Sequence, residues 1–316
     1  MDDQKMDLNN VTWEYRSSRA LQVANNLNLF AVLAQGPMSV KQLSKRCRTK
    51  PDMTEKLLIA CAAMGLVEKQ GDLYANSKLA ETYLVPGSAM YQGHIIRHAS
   101  FVWKFWDQLA DQIRLEPVAE EETHEDFILA MRDIAVGGRV QLVASAVDLT
   151  GRRKLFDVGG GPGTYSIAFC RQYPELRAVI LDLPETMPIA KKMIAEAKLE
   201  DRIRFVPGSW DTHDFGEAND VVLLSNILHG ESSKAKMKLK KAYKSMAAGG
   251  LLVIQDFVLN DEKTGPLIPA LFNIMVGAYS RPELFAVILE SGFIDPAVVK
   301  TSETHDSTII TAVKAG

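Results

Sequence analysis

A strand-like run, Leu155-Phe156-Asp157-Val158, leads into Gly159-Gly160-Gly161-Pro162-Gly163 and then into a helix-like segment. Glycines at such a junction let the chain bend tightly and let a ligand approach main-chain N–H groups. A helix N-terminus behind the turn favours negative groups. Three consecutive glycines also cost backbone entropy that a plain strand–helix turn need not spend. Three ligand classes compete for such a turn. A P-loop needs G-x-x-x-x-G-K-[ST], and no such string occurs in the chain. The dinucleotide fingerprint G-x-G-x-x-G/A, counted from Gly159, puts Thr164 at its third glycine position, where a diphosphate needs close packing. The looser G-x-G-x-G suits a nucleoside that carries an amino acid and no phosphate, namely S-adenosylmethionine.

Two further residues sit where such a ligand would need them. Asp182 ends the next strand, in Leu181-Asp182-Leu183-Pro184, and a carboxylate about 20 positions past the glycines can accept both ribose hydroxyls. That serves either nucleoside cofactor, and Asp182 is also a plausible turn residue before Pro184. The apolar run Asp220–Ser225 leads through Asn226-Ile227-Leu228 to a lone His229. In open α/β sheets ligands lie outside the carboxyl ends of the strands, so His229 belongs on the edge that carries the glycine turn and Asp182. An imidazole near pKa 6.5 suits the removal of a proton from a hydroxyl at neutral pH.

The elements that position these residues follow from periodicity. After Gly151, apolar strands near 154–158, 177–182, 202–206, 219–225, 251–258 and 307–313 alternate with helices near 164–173, 187–198, 232–247 and 281–291. Such alternation implies a parallel sheet covered on both faces. Before it, Leu21, Ala24, Leu27 and Phe30 form one stripe of a helix over 17–34 that Gly36-Pro37 stops. Ser39 and Gln42 form a capping box that opens a short helix. Pro51 opens a third helix through Leu57, Leu58, Ala60 and Cys61 to Gly65. Gln70-Gly71 then marks a hairpin. Three helices and a hairpin make a winged helix-turn-helix. Residues 77–150 read as mostly helical and hold an aromatic patch of Phe101, Trp103, Phe105 and Trp106.

Residues 155–163, 181–184 and 226–229 resemble motifs of the small-molecule O-methyltransferases of the caffeate and hydroxyindole type. The resemblance runs along nearly the whole chain. Gly36-Pro37-Met38-Ser39 through Leu43, then Leu66, Tyr74 and Tyr83–Ser88, resemble the family's N-terminal dimerisation domain. Ala248–Ile254 and Glu290-Ser291-Gly292-Phe293 match later landmarks. It implies an α/β fold, with a winged-helix dimerisation domain (1–100) and a helical connector (101–150) before a Rossmann-like, seven-stranded methyltransferase sheet (151–316) whose last strand is antiparallel. It implies a homodimer, S-adenosylmethionine as cofactor, and methyl transfer to a hydroxyl of a small aromatic acceptor, phenolic or hydroxy-heterocyclic. Gly159 and Gly161 would line the methionine part of the cofactor, Asp182 would hold the ribose, and Leu183 would pack near the adenine. Ser209 and Trp210 occupy the adenine-edge positions, and Ser225 completes the cofactor set. His229 falls on the catalytic base, supported by Asp256. Phe127, Met131, Phe272 and Met275 fall where the family builds its acceptor pocket. The chain departs from the pattern in two places. Gly230-Glu231 follows the His in place of Asp-Trp, and Ser280 stands where a carboxylate commonly precedes an Arg-Thr pair.

Other features carry weaker readings. Lys41, Lys45, Arg46, Arg48, Lys50 and Lys56 give residues 39–56 a basic bias, yet the third helix, the one a DNA groove would receive, is apolar. A net charge of −3 gives nucleic-acid binding no further support. Regulation of DNA through the winged helix is the alternative from another class; non-methylating chemistry on the same scaffold is a second. Lys234, Lys236, Lys238, Lys240, Lys241 and Lys244 read as the solvated face of a helix. His94 and His98 share a helix face, but no third ligand for a metal is evident. Cys47, Cys61 and Cys170 lack C-x-x-C spacing and read as buried apolar residues. With no signal-like segment and no apolar run near ~18 residues, a cytoplasmic protein off the membrane is expected.

Overall fold

A computed structural model describes residues 8–116 and 122–316. The chain forms two compact units. Residues up to 120 together with 259–275 make the first, and 121–258 with 276–316 make the second.

The first unit begins with helices α1 (Leu8–Trp13), α2 (Tyr15–Asn26) and α3 (Leu29–Leu33). The single helix expected over 17–34 is therefore broken. Asn28 adopts a left-handed φ of 56°, a conformation Asn tolerates better than most side chains. The break turns Leu29, Phe30 and Leu33 into the core beside Ala20 and Ala24 of α2. Strand β1 (Met38–Ser39) precedes α4 (Val40–Cys47), which opens with the capping box. Gln42 N–H donates to Ser39 Oγ at 3.3 Å and the Gln42 side-chain oxygen accepts Ser39 N–H at 2.9 Å. Helix α5 (Pro51–Ala63) has Pro51 in its first turn. The hairpin β2 (Val67–Gln70) and β3 (Leu73–Asn76) turns at Gly71, whose φ is 58°. Strand β1 pairs antiparallel with β3. Helices α6 (Lys78–Tyr83), α7 (Gly93–Asp107) and α8 (Leu109–Ile113) complete this stretch. The chain returns to the unit at 259–275, where α14 (Leu267–Met275) packs on α5 and buries Leu271. Phe101, Phe105 and Trp106 of α7 are exposed.

The second unit starts with α9 (His124–Ile134), a π-helical turn at Ala135–Arg139 and α10 (Val140–Ala146). Next come β4 (Lys154–Val158), α11 (Thr164–Gln172), β5 (Arg177–Asp182), α12 (Met187–Glu196), β6 (Ile203–Pro207), β7 (Asn219–Ser225), α13 (Ala235–Ser245) and β8 (Met246–Asp256). After the short strands β9 (Val258–Leu259) and β10 (Tyr279–Ser280), the unit ends with α15 (Arg281–Glu290), β11 (Phe293–Ser302) and β12 (Ser307–Lys314). The seven-stranded sheet has the order β11-β12-β8-β7-β4-β5-β6. Strands β8, β7, β4, β5 and β6 run parallel, and β12 is antiparallel to both of its neighbours.

Alternation along the central strands feeds two cores. Leu155, Val221, Leu223, Val253 and Ile309 face the layer that holds α10, α11 and α12. Phe156, Val158, Val222, Leu224, Leu252 and Ile254 face α13 and α15. A strand buried on both faces reads as a continuous apolar run, which is why these strands were visible in the sequence. Strand β11 was not among them. It lies at the sheet edge, most of its residues are exposed, and Pro296 interrupts a run that mixes polar and apolar residues.

Candidate active site

The carboxyl ends of five parallel strands bring the sequence-derived residues to one edge. The glycine turn follows β4, Asp182 ends β5, Ser209 and Trp210 follow β6, Asn226–His229 follow β7, and Asp256 ends β8.

The glycine turn is built around main-chain N–H groups. Gly159 N–H donates to the Leu181 carbonyl at 2.7 Å, and Gly161 N–H donates to Asp182 Oδ2 at 2.7 Å. Gly159 and Gly161 have φ of 65° and 54°, so both need the left-handed region. A Cβ on Gly161 would meet nothing within 4 Å, so that corner opens onto free space. A Cβ on Gly159 would come within 3.1 Å of Trp210 and Ile227, which shows how closely the turn packs against both following loops. Below it lies Asp157, fully buried. Ser166 Oγ donates to its Oδ2 at 2.7 Å, while Oδ1 has no partner among the described residues. Burial pushes this carboxyl up to about 7, with the charge of Asp182 adding to the effect and the Ser166 bond opposing it.

Asp182 is 7% exposed. Besides Gly161, its carboxylate accepts Leu183 N–H at 2.7 Å and Thr186 Oγ at 3.1 Å. Thr186 in turn pairs with His124 Nε2 at 2.9 Å. Leu183 is 41% exposed. Ser209 Oγ accepts Asp211 N–H at 3.2 Å, so its hydroxyl shapes the local turn. Ser225 Oγ donates to Gln255 Oε1 at 2.7 Å, the same oxygen that receives the Tyr165 hydroxyl at 3.2 Å.

His229 Nδ1 lies 2.8 Å from Asp256 Oδ1. Asp256 is 1% exposed and accepts two further N–H groups, from Leu228 at 2.9 Å and Phe257 at 2.8 Å. A carboxylate can only accept, so Nδ1 carries the proton and the lone pair of the neutral ring sits on Nε2. The His229 side chain is 22% exposed, so Nε2 is reachable. Burial opposes protonation of the ring most strongly and Lys238 also opposes it. The charge and hydrogen bond of Asp256, with a backbone bond to Asn226, outweigh both and leave the imidazole above its ordinary value. Ser280 takes no part in this pair. It starts α15, where its N–H and Oγ both donate to Glu283 Oε2 at 2.8 Å.

The lysine run of α13 is not a uniformly solvated face. Lys238 is 3% exposed, not part of a solvated face. Its Nζ donates to the Ile227 carbonyl at 2.7 Å and lies 4.8 Å from the Trp210 ring centroid. Burial pulls this ammonium down to about 8, with Asp211 and Asp256 opposing. Lys241 Nζ donates to the carbonyls of Trp210, Asp211 and His213. These lysines tie the loop after β6 to the loop before His229. A signal existed: on a helix Lys238 borders the apolar arc of Ala235, Leu239 and Ala242. Gln255 and Thr186 were also missed, being polar residues with no motif of their own.

Of the four acceptor-pocket residues, Phe127 and Met131 lie one turn apart on α9 of the second unit, 45% and 38% exposed. Phe272 and Met275 belong to the first unit. There the Arg16 guanidinium lies 4.5 Å from the centroids of both Trp13 and Phe272. Met275 lines a cavity of about 330 Å³ with Leu57, Leu271 and Ile274. Among the described residues no group of three or more His, Cys, Asp or Glu could hold a metal ion.

The donor set fits a nucleoside that carries an amino acid. A strand-end carboxylate faces the turn, Trp210 and Leu183 offer apolar surface for a base, and the corner at Gly161 leaves room for a ligand. Comparison with known proteins agrees. The chain matches the O-methyltransferase domain over residues 117–283 and the O-methyltransferase dimerisation domain over residues 10–86. It is 29% identical to a 3-hydroxy-5-methyl-1-naphthoate 3-O-methyltransferase of Streptomyces sahachiroi, over 94% of this chain and 92% of that one. It is 27% identical to acetylserotonin O-methyltransferase of Bos taurus, over 92% and 93%. A solved O-methyltransferase family 2 protein from Planctomyces limnophilus, in complex with apigenin, superposes with a TM-score of 0.78 at 26% identity, over 97% of this chain and 95% of that one. The chain belongs to the S-adenosylmethionine-dependent O-methyltransferase family and carries that family's dimerisation domain.

Proposed function

We propose that the protein methylates a hydroxyl of a small aromatic acceptor, with His229 as general base. The observation that carries this is the His229–Asp256 pair at 2.8 Å, on the strand edge that also holds the glycine turn and Asp182. Gly159 and Gly161 would line the methionine part of S-adenosylmethionine, Asp182 would hold the ribose, Leu183 and Trp210 would enclose the adenine, and Ser209 and Ser225 would sit at its margins. When bound, the cofactor supplies an already activated methyl group. The chain's own task is to place the acceptor oxygen and to remove its proton. Placement of this kind supplies roughly 7–11 kcal/mol in favourable cases. A phenol has a pKa of about 10, so it reaches the site protonated. His229 Nε2 takes that proton, and Asp256 holds the ring in the required tautomer and stabilises the imidazolium that forms.

An aromatic acceptor is supported by the naphthoate and acetylserotonin relatives and by the apigenin complex. Phe127 and Met131, two exposed apolar side chains one helical turn apart, fit the same reading. A homodimer through the first unit is supported by the dimerisation-domain match and by the exposed Ile95, Phe101, Phe105 and Trp106 of α7, an apolar surface that a second copy would cover. Three free cysteines agree with a reducing, cytoplasmic setting. Among the described residues no helix is long and apolar enough to cross a membrane. The DNA-binding reading would require α5 to be free for a groove, whereas α5 buries Leu57, Leu58, Ile59, Ala60 and Cys61 and is covered by α14.

The test is calorimetric titration with S-adenosylmethionine and, separately, with NAD, followed by methyl transfer to phenolic acceptors. Binding of the former alone, with turnover that His229→Ala abolishes while binding persists, is the expected outcome. Equal turnover in His229→Ala would remove the base assignment. A strong preference for aliphatic alcohols would remove the aromatic one.

A further inference from the structure

Arg139 closes the π-helical turn between α9 and α10 and is 9% exposed. Its Nε donates to the His305 carbonyl at 2.9 Å, and that is its one hydrogen bond among the described residues. Its Cζ lies 5.1 Å from the Phe257 ring centroid, and the Phe257 ring lies 5.7 Å from the His229 ring. The Phe257 ring is thus a neighbour of both the guanidinium and the proposed base. Neither terminal nitrogen has an acceptor among the described residues. No carboxylate of a described residue forms an ion pair with it. The titratable groups around it are Tyr165 on α11, Asp306 in the turn before β12 and Asp256 on β8.

The position of the group is fixed. Gly138, with φ of 134°, packs so closely on the His305 ring that a Cβ there would have no room. The turn that carries Arg139 and the turn that receives its Nε–H are thus locked together. A buried cation with unused donors costs free energy unless a partner arrives. A planar guanidinium fork matches the two coplanar oxygens of a carboxylate.

We propose that the Arg139 guanidinium binds a carboxylate carried by a ligand of the His229 site. The inference rests on the methyl-transfer reading above. Two ligands of that reaction can bring a carboxylate, an acidic aromatic acceptor and the methionine end of the cofactor, and the experiment separates them.

Calorimetry gives Kd for S-adenosylmethionine and for its decarboxylated form. Steady-state methyl transfer gives KM for a hydroxynaphthoate and for the matching naphthol. A charge-assisted fork contributes enough that Arg139→Gln should weaken one carboxylate ligand by roughly 10- to 100-fold. A loss confined to S-adenosylmethionine, and not shared by its decarboxylated form, assigns the cofactor. A rise in KM confined to the hydroxynaphthoate assigns the acceptor. Arg139→Lys, which keeps the charge and loses the fork, should recover only part of either loss. Values for all four ligands within twofold of wild type overturn the proposal, as do equal losses for carboxylated and decarboxylated partners. Should Arg139→Gln fail to fold, the wild-type protein decides. A preference below threefold for the carboxylated member of both pairs overturns the proposal. A wild-type protein that binds no S-adenosylmethionine overturns the methyl-transfer reading and this inference with it.

Discussion

Replacing Asp256 by Asn tests the proposed base most directly, because the hydrogen-bond inventory leaves the amide no neutral choice. The carboxylate accepts three N–H groups, His229 Nδ1 and Phe257 N on Oδ1 and Leu228 N on Oδ2. Asn offers one oxygen and one NH₂. With its oxygen in the Oδ1 position, the NH₂ faces Leu228 N–H, and a buried donor left without an acceptor costs about 1–3 kcal/mol. With its oxygen in the Oδ2 position, the NH₂ faces Nδ1, the ring takes the opposite tautomer, and Nε2 carries a proton. It can then no longer act as a base, which forfeits a contribution of roughly 10²–10⁴ in rate. In both arrangements the ring loses the anion that holds its pKa above the ordinary value. The acid limb of the rate profile should therefore move to lower pH while the plateau falls. The assay is kcat/KM for a phenolic acceptor from about pH 5 to 9 at saturating S-adenosylmethionine, with calorimetry to confirm cofactor binding. A variant with wild-type kcat/KM and an unmoved acid limb would refute the tautomer argument.

Lys238→Met should shift the same limb the other way. The ammonium opposes protonation of His229 whereas Asp256 favours it, so removal of the ammonium raises the imidazole pKa and moves the limb to higher pH. Loss of the cation over Trp210 should also weaken S-adenosylmethionine binding about 2- to 30-fold, and a variant unchanged in both respects would return Lys238 to a plain packing role. Gly160→Ala should destroy cofactor binding, since its Cβ would sit 2.6 Å from the buried Asp157 carboxyl carbon. Gly161→Ala meets no atom and incurs only the left-handed backbone penalty, about 1–2 kcal/mol; equal calorimetric losses for the two variants would contradict the described turn. Asp157 keeps its proton up to about pH 7 in the folded chain, whereas the unfolded carboxyl releases it near 3.9. Its contribution to stability is thus complete below the unfolded value and is lost as pH rises through about 7, so Asp157→Asn should flatten the fall in Tm between pH 5 and 8. A fall as steep as that of wild type would show that this carboxyl does not titrate in that range.

Much of the site was legible because it is assembled from strand ends. Val158, Leu181, Leu224 and Ile254 belong to apolar runs buried on both sheet faces, and the residues one or two places beyond, Gly159, Asp182, Ser225 and Asp256, must share the carboxyl edge of a parallel sheet. Period and sign of hydrophobicity sufficed for that. The first unit was legible for a similar reason: the Ser39–Gln42 box, Pro51 and Gly71 act on their own neighbours. The break at Asn28 was not, because an unbroken stripe and a kinked one look alike until the core fixes where Phe30 must go.

The sequence by itself therefore determined the two kinds of element and the shared strand edge of the glycine turn, Asp182 and His229. Tertiary structure alone decided which polar side chains serve that edge from a distance. Lys238 is one lysine among six in its run, and only its burial against Ile227 and Trp210 sets it apart from the exposed lysines there. Arg139 carries no motif, and its place against Phe257 depends on a π-helical turn packing against a loop 166 residues further along the chain. Local periodicity records which face of an element is apolar. The desolvation and partnering of a single charge depend on atoms from other elements, and those are brought together only when the chain folds.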